Sequence, residues 1–420
     1  MARMTGGERR RRIVENAAVL LRRKGYSSTS ISGVLEASGI SRGTFYFHFR
    51  SKRALGEAVL SYYEEDLPRL FTESFEGRSW AAGVSEVMDY FLGPCREAEH
   101  LGLPLANLGL EFANREPALH RRVADLLRIV ERELAARLRE RGVPEREAEG
   151  RAASVLALFE GHQLRYLVYG LEGVRQQMKR HLSALGEAAP DLPRALVGAA
   201  PQAASQPAEK SWNSSGGNGV DNIDGRSIIN SVAADPAGEK EGQRSEMVSC
   251  VASLFWQKGY ELTTLRDIVE FCGVPKGSFN YYFGSKRRLA ADVLEFHRGE
   301  CERLVGEALD APDWPAAARR LAERAAGGGS SHVLEWPLTN MGLEFANTDE
   351  VMGGLVSEIL SAMEGRFERA LAAAGLEGPA LAEAAGYALA VWQGHLVRMR
   401  IYEDTRVADK IREDLEGLVK

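Results

Sequence analysis

Apolar residues along the chain recur every three to four positions, the spacing that puts them on one face of a helix. Ile13, Ala17 and Leu21 form one such stripe, and Met247, Val251 and Phe255 form another. Each stripe runs into a glycine, Gly25 or Gly259, suited to close a helix. Thr29 and Thr263 then stand where an N-cap would open a second helix, which stops at Gly39 and Gly273. Three residues later a short third helix is expected over 41–47 and over 275–281, with Ser41 as its cap in one case and Pro275 at a permitted first-turn position in the other. Helix, tight glycine turn and helix make a helix-turn-helix. Beyond it, Pro68 is expected to end a fourth helix, and long Ala/Leu-rich helices follow, among them 118–141 and 145–169. The fold class read from this pattern is all-α.

The two stripes belong to a duplication. From Gly25-Tyr26 and Gly259-Tyr260 an offset of 234 holds without a gap to Leu55 and Leu289, with 12 of 31 positions identical. One residue is then lost, and Pro104-Leu-Ala-Asn-Leu-Gly-Leu-Glu-Phe-Ala-Asn114 pairs with Pro337-Leu-Thr-Asn-Met-Gly-Leu-Glu-Phe-Ala-Asn347. Gly161-His162 pairs with Gly394-His395. Between the copies the chain turns to Ala, Pro, Ser, Gly and Asn, a composition that buries too little apolar surface to order itself. Taken as a coil of about 50 residues it spans roughly 40 Å, enough for the copies to pack side by side. A short helix over 227–232 is the one element it offers. The resulting partition is a first helix-turn-helix domain at 1–55, a helical domain at 56–186, a linker at 187–240, a second helix-turn-helix domain at 241–289 and a second helical domain at 290–420.

Charge changes this picture. The net charge is −6, yet residues 1–55 carry 12 Lys/Arg against 3 Asp/Glu. That is a basic patch of the kind that meets nucleic acid. Residues 235–289 carry 8 against 7, and residues 235–420 carry 21 against 30, so the second copy is acidic. No run approaches the ~18 apolar residues of a membrane helix, and no apolar stretch follows the basic N-terminus as a signal peptide requires. The expected location is the cytoplasm. Cys95, Cys250, Cys272 and Cys301 lie far apart in sequence with no C-x-x-C pair, which leaves neither a disulfide framework nor a zinc site and implies reduced thiols. Nucleophile-elbow, P-loop, H-E-x-x-H and dinucleotide motifs are absent, and Gly327-Gly-Gly-Ser-Ser331 leads into no G-K-S/T. No catalytic residue, metal or cofactor is expected; an enzyme would have to work through scattered residues.

The stretch Thr29-Ser-Ile-Ser-Gly-Val-Leu-Glu-Ala-Ser-Gly-Ile-Ser-Arg-Gly-Thr-Phe-Tyr-Phe-His-Phe-Arg-Ser-Lys52 resembles the DNA-binding motif of the TetR family of bacterial transcriptional regulators. Thr263-Thr-Leu-Arg-Asp-Ile-Val-Glu-Phe-Cys-Gly-Val-Pro-Lys-Gly-Ser-Phe-Asn-Tyr-Tyr-Phe-Gly-Ser-Lys286 resembles it again. The resemblance implies that the third helix enters the major groove of an operator while flanking groups hold phosphates. Ser41, Arg42, Thr44, Tyr46, His48 and Lys52 are then the DNA-contacting residues of the first copy, and Lys276, Ser278, Asn280, Tyr282 and Lys286 those of the second. Phe45, Phe49, Phe279 and Phe283 are read as core. Asn280 and Tyr282 depart from Tyr46 and His48, which leaves open whether the second motif reads DNA.

The family's remaining helices imply a small-molecule effector pocket and a dimerisation face. The face corresponds here to 155–169 with 174–185 and to 384–402 with 407–419, where Gly161 and Gly394 permit close approach. Asn107 with Glu111, Asn340 with Glu344, His162 with Arg165 and His395 with Arg398 are spaced to share a helix face, and Phe112, Tyr166, Trp336, Phe345 and Trp392 would line a pocket beside these polar groups. That set is either the effector pocket or a structural hydrogen-bond network. Cys95 lies just before it, as a thiol sensor or a spectator. The implied function is a DNA-binding regulator, an effector-released repressor acting as a single-chain pseudo-dimer on unlike half-sites about 34 Å apart. Pairing of two chains copy with copy is the other assembly. A second reading has only the first copy touch DNA, with the second a tethered dimerisation or sensor module.

Overall fold

The computed structural model describes residues 5–92, 104–113, 116–169, 171–186, 238–327, 341–342, 344–345 and 349–419. Among them the regular structure is helical, with no strand. The linker, with its candidate helix at 227–232, lies outside the described residues up to 237. The first copy supplies α1 (Gly6–Ser28), α2 (Ile31–Ser38), α3 (Arg42–His48), α4 (Lys52–Phe75), α5 (Trp80–Leu92), α6 (Pro104–Ala113), α7 (Pro117–Arg139), α8 (Glu145–Tyr169) and α9 (Leu171–Ala184). The second supplies α10 (Gly238–Lys258), α11 (Leu265–Cys272), α12 (Lys276–Tyr282), α13 (Lys286–Leu309), α14 (Trp314–Ala326), α15 (Glu350–Ala373), α16 (Gly378–Tyr402) and α17 (Val407–Glu416). None of the described helices is long and apolar enough to cross a membrane.

Local chemistry sets the ends of the short helices, with two departures from the expected pattern. The caps of α2 and α11 are Ser30 and Thr264, whose side chains accept from the Gly33 and Asp267 amides. Thr29 and Thr263, one residue earlier, are buried instead, and their hydroxyls donate back to the Gly25 and Gly259 carbonyls. The threonine therefore finishes the preceding turn and its neighbour opens the next. Pro68 does not end α4, which continues to Phe75. Tyr63, Leu67, Phe71 and Phe75 are buried along one face, and their packing outweighs the one backbone bond that proline removes.

The described residues divide into two compact units, one drawn from Met1–Gln163, Arg175–Pro201 and Gly378–Lys420, the other from Leu164–Val174 and Gln202–Glu377. This division does not follow the sequence repeat, because α16 and α17 of the second copy pack in the first unit. There α16 lies against α6 and α7 and crosses α8 backbone to backbone. A Cβ on Gly161 would stand 1.7 Å from the Ala390 carbonyl oxygen, and one on Gly394 would stand 1.7 Å from the Ala157 carbonyl oxygen. Gly161 and Gly394, like Ala157 and Ala390, are equivalent positions of the repeat, so the contact is reciprocal. Arg398 of α16 reaches Glu131 of α7 in the same unit, and the equivalent pair, Arg165 and Glu364, forms within the second unit.

Candidate nucleic-acid interface

Two surfaces could meet DNA, one at each third helix. In α3 the Ser41 hydroxyl accepts from the Thr44 amide at 3.2 Å and lies 3.0 Å from the Thr44 hydroxyl. Phe45 and Phe49 are buried, 5.7 Å apart between ring centres, and hold the helix on α1 and α2. That leaves Arg42, Tyr46, Phe47 and Arg50 exposed. The Arg42 guanidinium lies over the Tyr46 ring at 5.8 Å, and His48 is half-buried edge-on to Phe47. Phe47 is 83% exposed, the most exposed of the large apolar side chains among the described residues. Sequence reasoning did not select it, although an aromatic between core positions 45 and 49 on a seven-residue helix has to face outward. Arg10 stacks over Phe49 at 5.2 Å, so the N-terminal arginines of α1 border this surface.

The second surface has the same frame and less charge. Phe279 and Phe283 are buried, while Lys276 and Asn280 are exposed and Ser278 is half-exposed. Tyr281, the equivalent of Phe47, is 65% exposed. Tyr282 donates its hydroxyl to Gln243 of α10. Pro275 caps α12 without a side-chain bond, a loss of about 1 kcal/mol relative to serine. Gly284, at φ 67°, replaces the exposed Arg50.

Lys52 and Lys286 are half-buried, and their ammonium groups donate to backbone carbonyls of their own domains. The Lys52 ammonium donates to the Ser27 carbonyl at 3.0 Å and sits 4.5 Å from the centre of the Tyr26 ring. Lys286 donates to the Tyr260 and Thr263 carbonyls, 4.2 Å from the Tyr260 ring. Burial pushes Lys52 below its ordinary value. Each lysine ties the end of the first helix to the start of the fourth.

Glu111, Phe112, Glu344 and Phe345 meet these same turns. The Glu111 carboxylate accepts from the Tyr26 amide at 2.8 Å and the Ser27 amide at 2.6 Å, while Tyr26 packs edge-on against Phe112. Glu344 accepts from the Tyr260 and Glu261 amides, and Tyr260 packs on Phe345. Burial raises the Glu111 carboxyl despite its hydrogen bonds. Gly25, at φ 74°, is required here, since a Cβ would fall 2.2 Å from a Glu111 oxygen. These residues join each helix-turn-helix to the helical body.

His162 and His395 are fully buried in the first unit. His162 Nε2 pairs with His181 Nδ1 at 2.7 Å, and His181 Nε2 with Glu383 at 3.0 Å. His395 Nε2 bonds Asp414 at 2.8 Å, and the Ser154 hydroxyl donates to the same carboxylate. Arg398 donates to His395 Nδ1, so the ring is neutral with its proton on Nε2. Burial lowers His395 to about 4, and although burial opposes it, His181 and Arg180 hold Glu383 down at about 2. These buried groups are joined by hydrogen bonds. Trp392 is buried in α16. The side chains of Asn107 and Tyr166, and residues Trp336, Asn340 and Cys95, lie outside the described residues. Among the described residues no cluster suits a metal ion.

An apolar cavity of about 30 Å³ does lie inside the first unit, lined by residues that include Phe71, Met88, Phe91, Leu134 and Phe159. None of the described candidate effector residues lines it.

Two helix-turn-helix domains with exposed basic and aromatic third helices define a DNA-binding protein. Residues 13–59 and 252–293 match the model described as bacterial regulatory proteins, tetR family. Residues 82–169 match the C-terminal domain of LmrA/YxaF-like transcriptional regulators. The chain belongs to the TetR family of transcriptional regulators, with the family's DNA-binding domain present twice. Over 122 residues, 29% of this chain and 60% of the relative, it is 28% identical to the HTH-type transcriptional repressor DhaR of Mycobacterium sp. (strain GP1). Over 74 residues, 18% of this chain and 35% of the relative, it is 35% identical to the HTH-type transcriptional repressor KstR2 of Rhodococcus jostii (strain RHA1). The matched stretches thus span less than two thirds of these relatives. A solved TetR transcriptional regulator from Legionella pneumophila is covered over 97% of its length by 43% of this chain, at 20% identity and a TM-score of 0.39.

Proposed function

We propose that this chain is a transcriptional repressor that binds operator DNA as a single-chain pseudo-dimer and is released by a small molecule. The observation that carries the reading is the reciprocal crossing of α8 and α16, where equivalent glycines of the two copies face each other's equivalent alanines. Two copies of one fold that meet through the same surface are related as the subunits of a twofold dimer. Arg42-Gly-Thr-Phe-Tyr-Phe-His48 and Lys276-Gly-Ser-Phe-Asn-Tyr-Tyr282 differ in their exposed groups, so the operator has unlike half-sites. Repression is inferred from the printed names of the matched relatives. The apolar cavity is the natural place for an effector, and its ~30 Å³ must expand to the ~300 Å³ or more that small-molecule sites occupy. Such opening, passed through Glu111 and Tyr26 to the first helix-turn-helix, would couple ligand to DNA at about 1–3 kcal/mol.

The test is footprinting on an operator selected from genomic fragments. Arg42→Ala should lose protection of one half-site and Lys276→Ala of the other, each weakening binding by about 1–3 kcal/mol if the side chain reads a base. The weaker charge of the second domain, its uncapped α12 and Gly284 favour the other reading, in which only the first copy touches DNA. Lys276→Ala without effect on protection or affinity would establish that version.

A further inference from the structure

Cys250 and Cys272, 22 positions apart, lie in α10 and at the last residue of α11. Both are half-exposed, whereas Cys301 is buried. α10 and α11, which carry the two cysteines, pack on each other, and burial, then the neighbouring Cys250 thiol, push the Cys272 thiol above its ordinary value. The first copy supplies an independent view of the same place. The equivalents of the two cysteines are Asn16 and Ser38, and the Asn16 amide donates to the Ser38 hydroxyl at 3.4 Å. This position pair brings side chains together in both copies, and only the second copy fills it with thiols.

We infer that Cys250 and Cys272 are a reversible oxidation site that responds to peroxide by cross-linking the first two helices of the second DNA-binding domain. The Cys250 thiolate attacks hydrogen peroxide, the O–O bond breaks, and the products are a sulfenic acid and a hydroxide that takes up a proton to become water. Cys272 then attacks the sulfenic sulfur; the S–S bond forms, the S–O bond breaks, and the hydroxyl leaves as water with the Cys272 proton. Two thiols give up two electrons and two protons, and peroxide becomes two waters. Cys250 acts first because Cys272 is held protonated, and the thiolate is the reactive form. Two equivalents of a thiol such as glutathione reverse the bond by exchange.

The cross-link bears on DNA through its position. Cys272 directly precedes Gly273, whose φ of 64° makes the turn into α12. A disulfide requires Cα atoms roughly 4.4–6.8 Å apart, so its formation fixes the spacing of α10 and α11 at the root of that turn. Resting on the proposed function in this clause alone, oxidation changes how the second half-site is read.

The test uses the full-length reduced chain, titrated with hydrogen peroxide and mapped by mass spectrometry without reduction. The expected result is a single cross-link joining the Cys250 and Cys272 peptides, reversed by glutathione, with Cys301 unmodified. Cys272→Ser should instead leave a Cys250 sulfenic acid that dimedone traps. A Cys250→Asn, Cys272→Ser variant, which recreates the pair of the first copy, should fold as the natural chain and ignore peroxide. Both thiols remaining alkylatable after peroxide, or a cross-link between other cysteines, would overturn the site. Operator affinity should change at least about fivefold on oxidation in the natural chain and not in the double variant. Equal affinity in both redox states would overturn the effect on DNA. A cross-linked chain that binds no operator in either state would refute the proposed function and leave the oxidation site standing.

Discussion

Replacing Gly161 by alanine tests the crossing of α8 and α16. The added Cβ would stand 1.7 Å from the Ala390 oxygen and 2.8 Å from its Cα, and both are backbone atoms that no rotamer can move aside. Ordinary contact requires the helices to part by roughly 1.5 Å, and a gap of about 0.5–1 Å already forfeits a quarter to a half of each dispersion contact. Ala157, Leu158, Leu389 and Val391, all nearly or fully buried, belong to the helices that would separate. Overpacking of this kind costs about 3 kcal/mol at the upper end of its usual range, and the better helix propensity of alanine returns about 1. The net expectation is a loss of about 2 kcal/mol. Gly394→Ala should cost the same, and the double variant should cost about 3 rather than about 4 because the second methyl enters a crossing already opened. Gly150→Ala in the same helix is the control. Its Cβ would meet only the Lys410 side chain at 3.8 Å, so it should gain about 0.5–1 kcal/mol. Guanidinium unfolding followed by circular dichroism reads all four variants as shifts of midpoint at constant slope. If Gly161→Ala is no less stable than Gly150→Ala, the reciprocal crossing is not what holds these helices.

Glu111→Ala strands the Tyr26 and Ser27 amides, and should cost about 2 kcal/mol, seen as faster hydrogen exchange at those two amides; unchanged protection there would remove the carboxylate as the link between domain and body. The histidines set the acid side of the stability curve. Burial lowers His297 to about 3 and His395 to about 4, so both are neutral in the fold and take up protons on unfolding near the ordinary value of 6.5. Stability is therefore full above about 6.5 and falls toward those lower values by about 1.4 kcal/mol per pH unit for each ring. His297, whose two ring nitrogens have no hydrogen-bond partner among the described residues, can be replaced by leucine. Stability at pH 7 should rise by about 1 kcal/mol and the acid slope should lessen; an unchanged slope between pH 6 and 4 would contradict the assignment. Phe47→Ala should change stability by less than about 0.5 kcal/mol while weakening operator binding by about 1 kcal/mol, or about fivefold in Kd; unaltered binding would show that the ring does not contact DNA.

The helix-turn-helix was legible because its signals are local: Ser41 caps within three residues, Gly39 and Gly273 adopt a positive φ, and Phe45 and Phe49 share a face by spacing alone. The repeat was legible because both copies keep those constraints. What escaped the sequence depends on partners far along the chain. Glu111 reads as half of a polar pair with Asn107, and only the fold brings it to the Tyr26 amide, 85 positions earlier. Lys52 shows no internal partner in the sequence, and only the fold sets its ammonium beside the Ser27 carbonyl, 25 positions earlier. Pro68 reads as a helix end by local rules, which carry no account of the buried face that continues through it. Cys250 and Cys272 looked remote because thiols were compared by sequence spacing, although their equivalence to Asn16 and Ser38 was already contained in the 234-residue offset.

In the proposed pseudo-dimer one chain supplies both halves of the operator-binding assembly. Light scattering of the purified protein, alone and on its selected operator, measures this directly. The expected result is one 46.1 kDa chain on one site with unlike halves. A particle of twice that mass on a palindrome would mean that chains pair copy with copy, and would contradict it.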